Sequence, residues 1–292
     1  SRPRGLPGKP AGMIIDFHTH VFPPFFRNDR SAAVSRDPAF KILYASPQAK
    51  LTGVQALLRH MDQAGVHRSV IFGFPWEDPE DFRRHNDYIT EAVHRYPDRL
   101  IGFCTFAPVS RSGPREAERC LAQGLSGVGE LALYHGDLSG EVIENLQEVM
   151  EVCRMAQVPV LLHVNEPVGH DYPGKTPQTL RQVYGFVKTF PENRIVLAHW
   201  GGGLPFYGLM KREVKQVLSQ VWFDTAASPY LYTPDIYRVV GEIVGFEKIL
   251  FGSDYPLLPP ERYFREMAGA GVSEECLVRI KGENAARLLG LR

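Results

Sequence analysis

The sequence predicts an α/β fold, a single (β/α)₈ TIM barrel, and three observations carry this prediction. The chain has 292 residues, and a barrel of this kind typically needs about 250. Short β-like runs recur eight times, and a stretch long enough for a helix follows each of them. Strict alternation implies a parallel sheet with right-handed crossovers, and eight repeats let it close. A doubly wound open sheet is the alternative, but no G-x-G-x-x-G turn follows the first run.

The elements follow one another in a regular order along the chain. Each predicted strand is an apolar run that ends in a turn or polar residue, and the eight are 13–18, 69–73, 100–105, 127–131, 158–163, 194–199, 221–225 and 248–254. The first helix, 54–64, places Leu57, Leu58 and Met61 on one face and ends at Gly65, a typical C-terminal cap. The other predicted helices are 86–96, 114–123, 141–156, 176–190, 207–220, 233–244, 260–268 and 283–289.

The two ends of the chain differ in composition. Residues 1–12 are rich in proline and glycine and are not followed by the apolar region of a signal peptide, so they are predicted to be a flexible leader. Residues 13–292 are predicted to form the barrel domain, because no shift in composition marks a second domain.

Composition limits the classes of partner and compartment. Lysine plus arginine balance aspartate plus glutamate at 33 each, and no basic stripe is present, which argues against a nucleic-acid partner. The four cysteines form no C-x-x-C pair, as expected for reduced thiols in a cytoplasmic protein. No apolar run reaches membrane-spanning length, so no membrane partner is expected. The expected partner is a small-molecule substrate, with a homodimer possible through the outer helices.

Two histidines stand at the end of the first strand, in Asp16-Phe17-His18-Thr19-His20. An extended strand turns alternate side chains to one face, which groups Asp16, His18 and His20. Two imidazoles in this spacing can bind one divalent metal if further ligands come from elsewhere. Taken alone, the pair is more often a polar strand end with hydrogen-bonded histidines.

Further polar residues stand at the ends of other predicted strands, where the active site of a parallel barrel lies. Glu130 is near the end of strand four, His163 ends strand five, His199 ends strand six and Asp254 ends strand eight. Each has an ordinary alternative, since a strand-end histidine is commonly hydrogen-bonded and an aspartate commonly caps a helix. The joint pattern predicts a metal site.

Four motifs together resemble the metal-dependent amidohydrolase superfamily, namely Ile15-Asp16-Phe17-His18-Thr19-His20, Leu162-His163, Leu197-Ala198-His199-Trp200-Gly201-Gly202 and Leu250-Phe251-Gly252-Ser253-Asp254-Tyr255-Pro256. The similarity is greatest to its branch of small hydrolases and aminocarboxymuconate-semialdehyde-type decarboxylases. It extends from about residue 13 to the closing segment 284–289. The resemblance implies a TIM barrel of the metallo-dependent hydrolase type.

The resemblance also implies roles for individual residues. It assigns metal ligation to His18, His20, His163 and Asp254. Asp254 would in addition handle the proton of the bound water. His199 matches a residue that polarises water or a substrate carbonyl in one-metal members and binds the second metal in two-metal members.

Glu130 occupies the place of a bridging carboxylate or modified lysine in two-metal members. Because no lysine stands there, a carbamylated-lysine bridge is excluded. The motifs favour one metal, with Glu130 as a further ligand or as a partner of the ligands. The metal count is open at this point.

The ligand set predicts a cofactor and two enzymatic outcomes. Three imidazoles and a carboxylate suit Zn²⁺ best, with Mn²⁺, Fe²⁺ or Co²⁺ as alternatives. Zinc-bound water is acidic enough to supply hydroxide at neutral pH, so the main prediction is a hydrolase of a small carboxylate-bearing or cyclic amide, ester or lactone. The alternative is a non-oxidative decarboxylase of an aromatic or muconate-type acid, in which the site protonates the carbon that bears the carboxylate. A barrel with a purely structural metal is the third reading.

The loops at the strand ends supply the predicted substrate contacts. Asn165, His170 and Lys175 lie in the polar, glycine-rich loop after strand five, whose alternative is a solvated loop ordered by its own hydrogen bonds. Trp76 and Tyr134, after strands two and four, are candidates for aromatic walls, although each aromatic is individually more typical of packing. The long segment 21–47 is predicted to be a lid over the metal.

Overall fold

The computed structural model describes residues 12–291 of the chain, so the predicted leader of residues 1–12 lies, except for Gly12, outside the described residues. Eight strands follow one another as the sequence predicts. They are β1 (Ile15–His20), β2 (Arg68–Phe72), β3 (Leu100–Gly102), β4 (Val128–Leu131), β5 (Val160–Leu162), β6 (Ile195–Leu197), β7 (Val221–Asp224) and β8 (Ile249–Leu250).

The strands pair in sequence order and all in parallel. Continuous ladders run through β1, β2 and β3 and, separately, through β4, β5, β6, β7 and β8. Backbone hydrogen bonds close the gaps, among them those from Cys104 N–H to the Gly127 carbonyl at 2.9 Å and from Phe17 N–H to the Phe251 carbonyl at 2.8 Å. The prediction of a (β/α)₈ barrel is therefore confirmed.

Helices surround the sheet on its outside and at its two ends. They are α1 (Pro24–Asn28), α2 (Arg30–Arg36), α3 (Pro38–Tyr44), α4 (Val54–Ala64), α5 (Pro79–Arg95), α6 (Gly113–Ala122), α7 (Gly140–Ala156), α8 (Leu180–Thr189), α9 (Val214–Val217), α10 (Ser228–Leu231), α11 (Asp235–Val244), α12 (Pro260–Gly269), α13 (Glu274–Val278) and α14 (Asn284–Leu288). Short 3₁₀ turns lie at His199–Leu209, Leu218–Gln220 and Phe246–Lys248, and a π-helical turn at Arg279–Glu283. Within residues 12–291, no helix combines the length and the apolar character that a membrane crossing requires.

Several predicted helices have bounds that differ from the observed ones, including 176–190, which begins only at Leu180, and two of the differences have clear local reasons. The predicted helix 86–96 begins earlier, at Pro79, because the Asp78 carboxylate caps the backbone N–H groups of Glu80 and Asp81. Within the predicted helix 207–220 the observed α-helix is only α9. The segment His199–Leu209 before it contains several residues with positive φ and a proline, which prevent a longer helix.

The barrel interior is filled by apolar side chains from six strands, so it is a packed core and not a pore. The buried cluster contains Phe17, Phe72, Ile101, Leu161, Val196 and Leu250. Helix α14 adds Ala285 and Leu288 to this cluster, and its Leu288 carbonyl lies 3.4 Å from Nη1 of Arg194, which precedes β6. Helix α14 thus closes the amino-terminal end of the barrel, and the carboxyl ends of the strands face the other way.

Candidate metal centre and active site

The first strand presents two imidazoles to one point, but not by simple alternation. The register of β1 against β2 shifts between Asp16 and Thr19. His18 Nε2 and His20 Nε2 lie 3.2 Å apart. Asp16 does not join them, because its carboxylate accepts hydrogen bonds from the backbone and hydroxyl of Ser253, at 2.9 and 2.5 Å.

Asp254 reaches the same point from the end of β8. Its Oδ1 lies 3.1 Å from His20 Nε2 and 3.4 Å from His18 Nε2. Asp254 has a φ of 57° and His199 a φ of 54°, a left-handed conformation that is uncommon outside glycine and is concentrated at functional sites.

Glu130 links this group to the next strands. Its Oε2 lies 3.5 Å from His18 Nε2 and 3.6 Å from His20 Nε2. Its Oε1 lies 2.9 Å from His163 Nδ1 and 3.7 Å from His199 Nε2. The structure therefore brings together all six residues that the sequence singled out for metal and proton chemistry, which are His18, His20, Glu130, His163, His199 and Asp254.

In three histidines, the ring nitrogen that points away from the cluster, here called the outer nitrogen, faces a hydrogen-bond acceptor. His18 Nδ1 lies 2.7 Å from the Asp224 carboxylate, His199 Nδ1 lies 2.9 Å from the Ala226 carbonyl, and His163 Nε2 lies 2.8 Å from the Gly174 carbonyl. Because these oxygens only accept, the outer nitrogen of each neutral ring carries the proton. The inner nitrogen then presents a lone pair to the site, as a metal ligand must.

The spacing of the inner atoms also fits a metal. Neighbouring ligands about 2.1 Å from one ion are about 3.0–3.4 Å apart in octahedral or tetrahedral geometry. The separations among His18, His20 and Asp254 are 3.1–3.4 Å, and these three residues form a group that can hold an ion. His18, Glu130 and His199 form a second such group. The residues present therefore fit a divalent cation.

The electrostatics of the cluster call for positive charge. Burial raises the pKa of Glu130, but the charges of His18 and His163 and the hydrogen bonds to both rings together hold this pKa well below its usual range. Burial lowers the pKa of His199, yet the hydrogen bond to Glu130 and the charge of Asp254 raise it to about 9. Buried carboxylates in this cluster attract either protons on the histidines or a divalent cation.

A cavity of about 530 Å³ opens above the cluster and is lined by His20, Glu130, His163, His199 and Asp254. Its remaining wall is mainly aromatic and aliphatic, with Tyr44, Phe74, Tyr134, Tyr172, Tyr230, Leu43, Leu231 and Leu257 among the lining residues. The rings of Phe74 and Tyr134 lie nearly parallel, with centroids 5.9 Å apart. Such a cavity suits a flat, apolar ring that carries a few polar groups.

The predicted lid contributes to this wall as three short helices. Leu43 and Tyr44 of α3 line the cavity, and Gln48, Ala49 and Lys50 follow them along its edge. The carboxyl-terminal end of the segment therefore borders the cavity, through α3. The segment is held in place by Phe22, Phe26 and Phe40, which are buried in the core.

Of the predicted substrate contacts, Tyr134 and His170 line the cavity, but three others do not. Trp76 is fully buried, where it donates a hydrogen bond to His85 and stacks on Phe26. Asn165 is buried and bonded to Thr176. Lys175 donates to the carbonyls of Val168 and His170. The assignment of these three side chains to substrate is corrected, and the alternative of a loop ordered by its own hydrogen bonds describes Asn165 and Lys175.

Sequence reasoning missed Asp224, at the end of β7. Besides His18, it accepts backbone hydrogen bonds from His199 at 2.9 Å and Ala226 at 3.0 Å. The signal was present, since Val221-Trp222-Phe223-Asp224 ends in an acid at a strand end like the other strands of the site.

A third group of possible ligands lies away from the cavity and consists of Cys104, Glu116 and Cys120. The Glu116 carboxylate is already bonded to Arg119 and Asn86. This group is therefore a satisfied hydrogen-bond network, and the cluster of histidines and carboxylates at the strand ends is the candidate metal site.

Comparison with known families gives a match over nearly the whole chain. The family profile described as Amidohydrolase matches residues 15–291. A curated relative, 6-methylsalicylic acid decarboxylase of Penicillium expansum, is 28% identical over 112 residues. That match spans 32% of this chain and 34% of the relative.

Solved structures show the same fold at low identity. The 5-carboxyvanillate decarboxylase of Sphingomonas paucimobilis has a TM-score of 0.75 and 18% identity, and covers 96% of this chain and 99% of its own. The 5-carboxyvanillate decarboxylase of Novosphingobium aromaticivorans, complexed with manganese, has a TM-score of 0.73, 16% identity and 98% coverage of both chains. Since the profile matches far more than half of the chain, this protein belongs to the amidohydrolase family.

Proposed function

We propose that this protein is a metal-dependent, non-oxidative decarboxylase of an aromatic carboxylic acid of the hydroxybenzoate type. The observation that carries the proposal is that Asp254, His199 and His20 face a single cavity with aromatic walls. The relatives lend support, because the matched curated protein and both solved structures described above are named as decarboxylases of substituted benzoic acids.

A divalent ion held by His18, His20, His163 and Asp254 would supply positive charge for the carboxylate or an adjacent hydroxyl of the substrate. The imidazole-rich set suits Zn²⁺, and the manganese of a structural neighbour makes Mn²⁺ the other candidate. His199 turns its Nε2 towards the cavity, where this nitrogen can form a hydrogen bond with a ring hydroxyl of the substrate.

Asp254 is the proposed proton donor. Although burial raises the pKa of Asp254, the neighbouring histidines hold it well below its usual range, so in the proposed reaction this carboxylate first takes up a proton from water. It then gives the proton to the ring carbon that bears the carboxylate, and an electron pair of the ring forms the new C–H bond. The bond to the carboxylate then breaks, its electron pair restores the aromatic ring, and carbon dioxide leaves. Asp254 is left as the carboxylate with which the cycle began.

Two other readings of the sequence receive less support. Hydrolysis was the main prediction, but the relatives favour the alternative of decarboxylation, and hydrolysis is not carried forward. A purely structural metal would be enclosed by its ligands. Here Glu130, His163, His199 and Asp254 all line an open cavity, as a catalytic site requires.

The test uses the full chain, freed of metal by a chelator and reloaded with Zn²⁺ or Mn²⁺. We expect 6-methylsalicylate or 5-carboxyvanillate to release carbon dioxide only when an ion is present, with the decarboxylated phenol as the second product. A parallel set of small amides, esters and lactones measures hydrolysis. Bond hydrolysis without release of carbon dioxide from any aromatic acid would overturn the proposal.

A further inference from the structure

The loop between β5 and α8, residues 165–178, is built as a strap with two buried ends. Asn165 at its start is 3% exposed and Gln178 at its end is 5% exposed. Between them, four residues line the cavity, namely His170, Tyr172, Pro173 and Gly174. The strap is therefore both a wall of the substrate cavity and a neighbour of the metal cluster.

Asn165 fastens the far end of the strap to its beginning. Its Oδ1 accepts hydrogen bonds from the backbone N–H of Thr176 at 2.7 Å and from the Thr176 hydroxyl at 2.8 Å. The backbone of Asn165 is fixed in turn, because a Cβ at Gly202 would lie 2.3 Å from the Asn165 carbonyl oxygen. Close packing against Gly202 thus fixes the backbone of Asn165, and the Asn165 side chain in turn fixes the strap.

The strap reaches His163 through two hydrogen bonds. The Gly174 carbonyl lies 2.8 Å from His163 Nε2, and Gln178 Nε2 donates to the His163 carbonyl at 2.6 Å. Gly174 has a φ of 97°, which favours glycine, and stands two residues before Thr176. The hydrogen bonds between Asn165 and Thr176, called the clamp below, therefore hold the Gly174 carbonyl where it can accept a hydrogen bond from His163 Nε2.

We propose that Asn165 is a positioning residue that selects the ligand nitrogen of His163. With the Gly174 carbonyl accepting from Nε2–H, the Nδ1 lone pair points to Glu130, 2.9 Å away, and into the cluster. When the clamp is released, Nε2 loses its acceptor, and the ring is free to turn or to move its proton to Nδ1. This inference rests on the proposed metal role of His163, and it holds for either reaction of the site.

The test measures the metal affinity of the full chain by competition with a chromophoric chelator. We expect Asn165→Ala to weaken binding about 10- to 100-fold, the usual effect of removing a partner that orients a ligand. Thr176→Val removes the hydroxyl donor and should weaken binding less, whereas Thr176→Ser keeps both donors and should bind as the wild type does. Lys175→Met is the matched control, because Lys175 donates to the carbonyls of Val168 and His170 and pairs with Glu166, all within the same loop, and forms no hydrogen bond with Asn165, Thr176 or His163.

A spectroscopic readout separates positioning from a general loss of stability. In the Co²⁺-substituted protein, Asn165→Ala should change the visible absorption bands that report the ligand set, while Lys175→Met should not. Wild-type affinity and bands in folded Asn165→Ala would overturn the inference while leaving the metal site intact. If that variant does not fold, the comparison of Thr176→Val with Thr176→Ser decides, and equal affinities would overturn it. A wild-type chain that binds no ion would remove the metal proposal and this inference together.

Discussion

At the residue scale, the chemistry of the site depends on which atom each side chain presents. Asp254 Oδ1 lies within 3.4 Å of two imidazole nitrogens, and the side chain is 17% exposed to the cavity. One group can therefore contact both a metal and a substrate. Metal binding and proton transfer by Asp254 can therefore be measured separately.

Asp254→Asn should keep most of the metal and lose turnover. An amide oxygen still coordinates, but the amide does not deliver a proton at neutral pH. We expect release of carbon dioxide to fall by about 10²- to 10⁴-fold, the usual contribution of a positioned acid. The metal-to-protein ratio is measured by elemental analysis in the same samples. Near-normal turnover in this variant would contradict the assignment of Asp254 as proton donor.

Asp224→Asn should weaken metal binding through His18. In the native carboxylate, Oδ1 accepts from the backbone of His199 and Ala226 while Oδ2 accepts from His18 Nδ1. An asparagine would keep its oxygen towards the two backbone donors, which leaves its NH₂ group facing His18. The imidazole would then move its proton to Nε2, the ligand atom, and affinity should fall at least about tenfold.

The control for this variant is Asp235→Asn, on an exposed face of α11. Chelator competition measures both variants. Equal metal affinities of the two would show that Asp224 does not set the state of His18.

The strand-end residues of the site were predictable from sequence, and their partners were not. A histidine that ends an apolar run is placed at the barrel mouth by the alternation of strands and helices alone. The acceptor that orients it is set by tertiary contacts, so the Gly174 carbonyl was not visible in advance, and the sequence showed Asp224 as a strand-end acid but not as the partner of His18. Trp76 was misassigned for the same reason, since only the fold shows that it packs on Phe26 behind the cavity wall.

At the element scale, the strands were easier to predict than the helices. A buried parallel strand is a continuous apolar run, and all eight appear at the expected places. Helix ends depend on caps, as at Asp78, and on backbone conformations that the turn residues permit. The sequence of His199–Leu209 shows no helical periodicity, and its backbone is not a regular helix, since Gly201, Gly202 and Gly203 take positive φ values.

Helix α5 carries a buried histidine that couples stability to pH. His85 Nε2 lies 2.7 Å from the Val21 carbonyl, and its Nδ1 accepts from the Trp76 indole at 3.0 Å. The ring must therefore be neutral, with its proton on Nε2. Burial lowers the pKa of His85 from 6.5 to about 4, despite the hydrogen bond to Val21.

This lowered pKa predicts an acid-sensitive stability. The unfolded chain takes up the proton at higher pH than the folded one, so the contribution of His85 is fully present above about pH 6.5 and is lost as the pH falls towards 4. The loss is on the order of 3 kcal/mol at most. We expect His85→Gln, which can both donate and accept, to retain more of its neutral-pH melting temperature at pH 4.5 than the wild type retains.

Thermal unfolding at pH 7.0, 5.5 and 4.5 measures the effect of His85→Gln. Exposed His94 on the same helix supplies the control variant His94→Gln. A wild-type pH profile in His85→Gln would show that the acid sensitivity comes from other groups.

At the scale of the whole molecule, the candidate ligands connect the first strand to the last. His18 and His20 stand on β1, whereas Asp254 follows β8, and these strands meet only where the barrel closes. The Asp16 carboxylate adds a direct hydrogen-bonded link across this seam to Ser253. An ion bound here would join the two ends of the fold, which are distant in sequence.

Metal removal should therefore lower the stability of the whole barrel. An ion at 100 times its dissociation constant stabilises the folded state by about 2.7 kcal/mol, provided that it binds the unfolded chain negligibly. We expect a chelator to lower the melting temperature of the wild type by several degrees, and added Zn²⁺ or Mn²⁺ to restore it. The double variant His18→Ala with His20→Ala should melt at one temperature with or without metal, because two ligands on one side of the seam are missing. Exposed His135, paired with Glu77 away from the cluster, provides the control His135→Ala, which should respond to metal as the wild type does. A double variant that is still stabilised by the ion would place the metal elsewhere in the molecule.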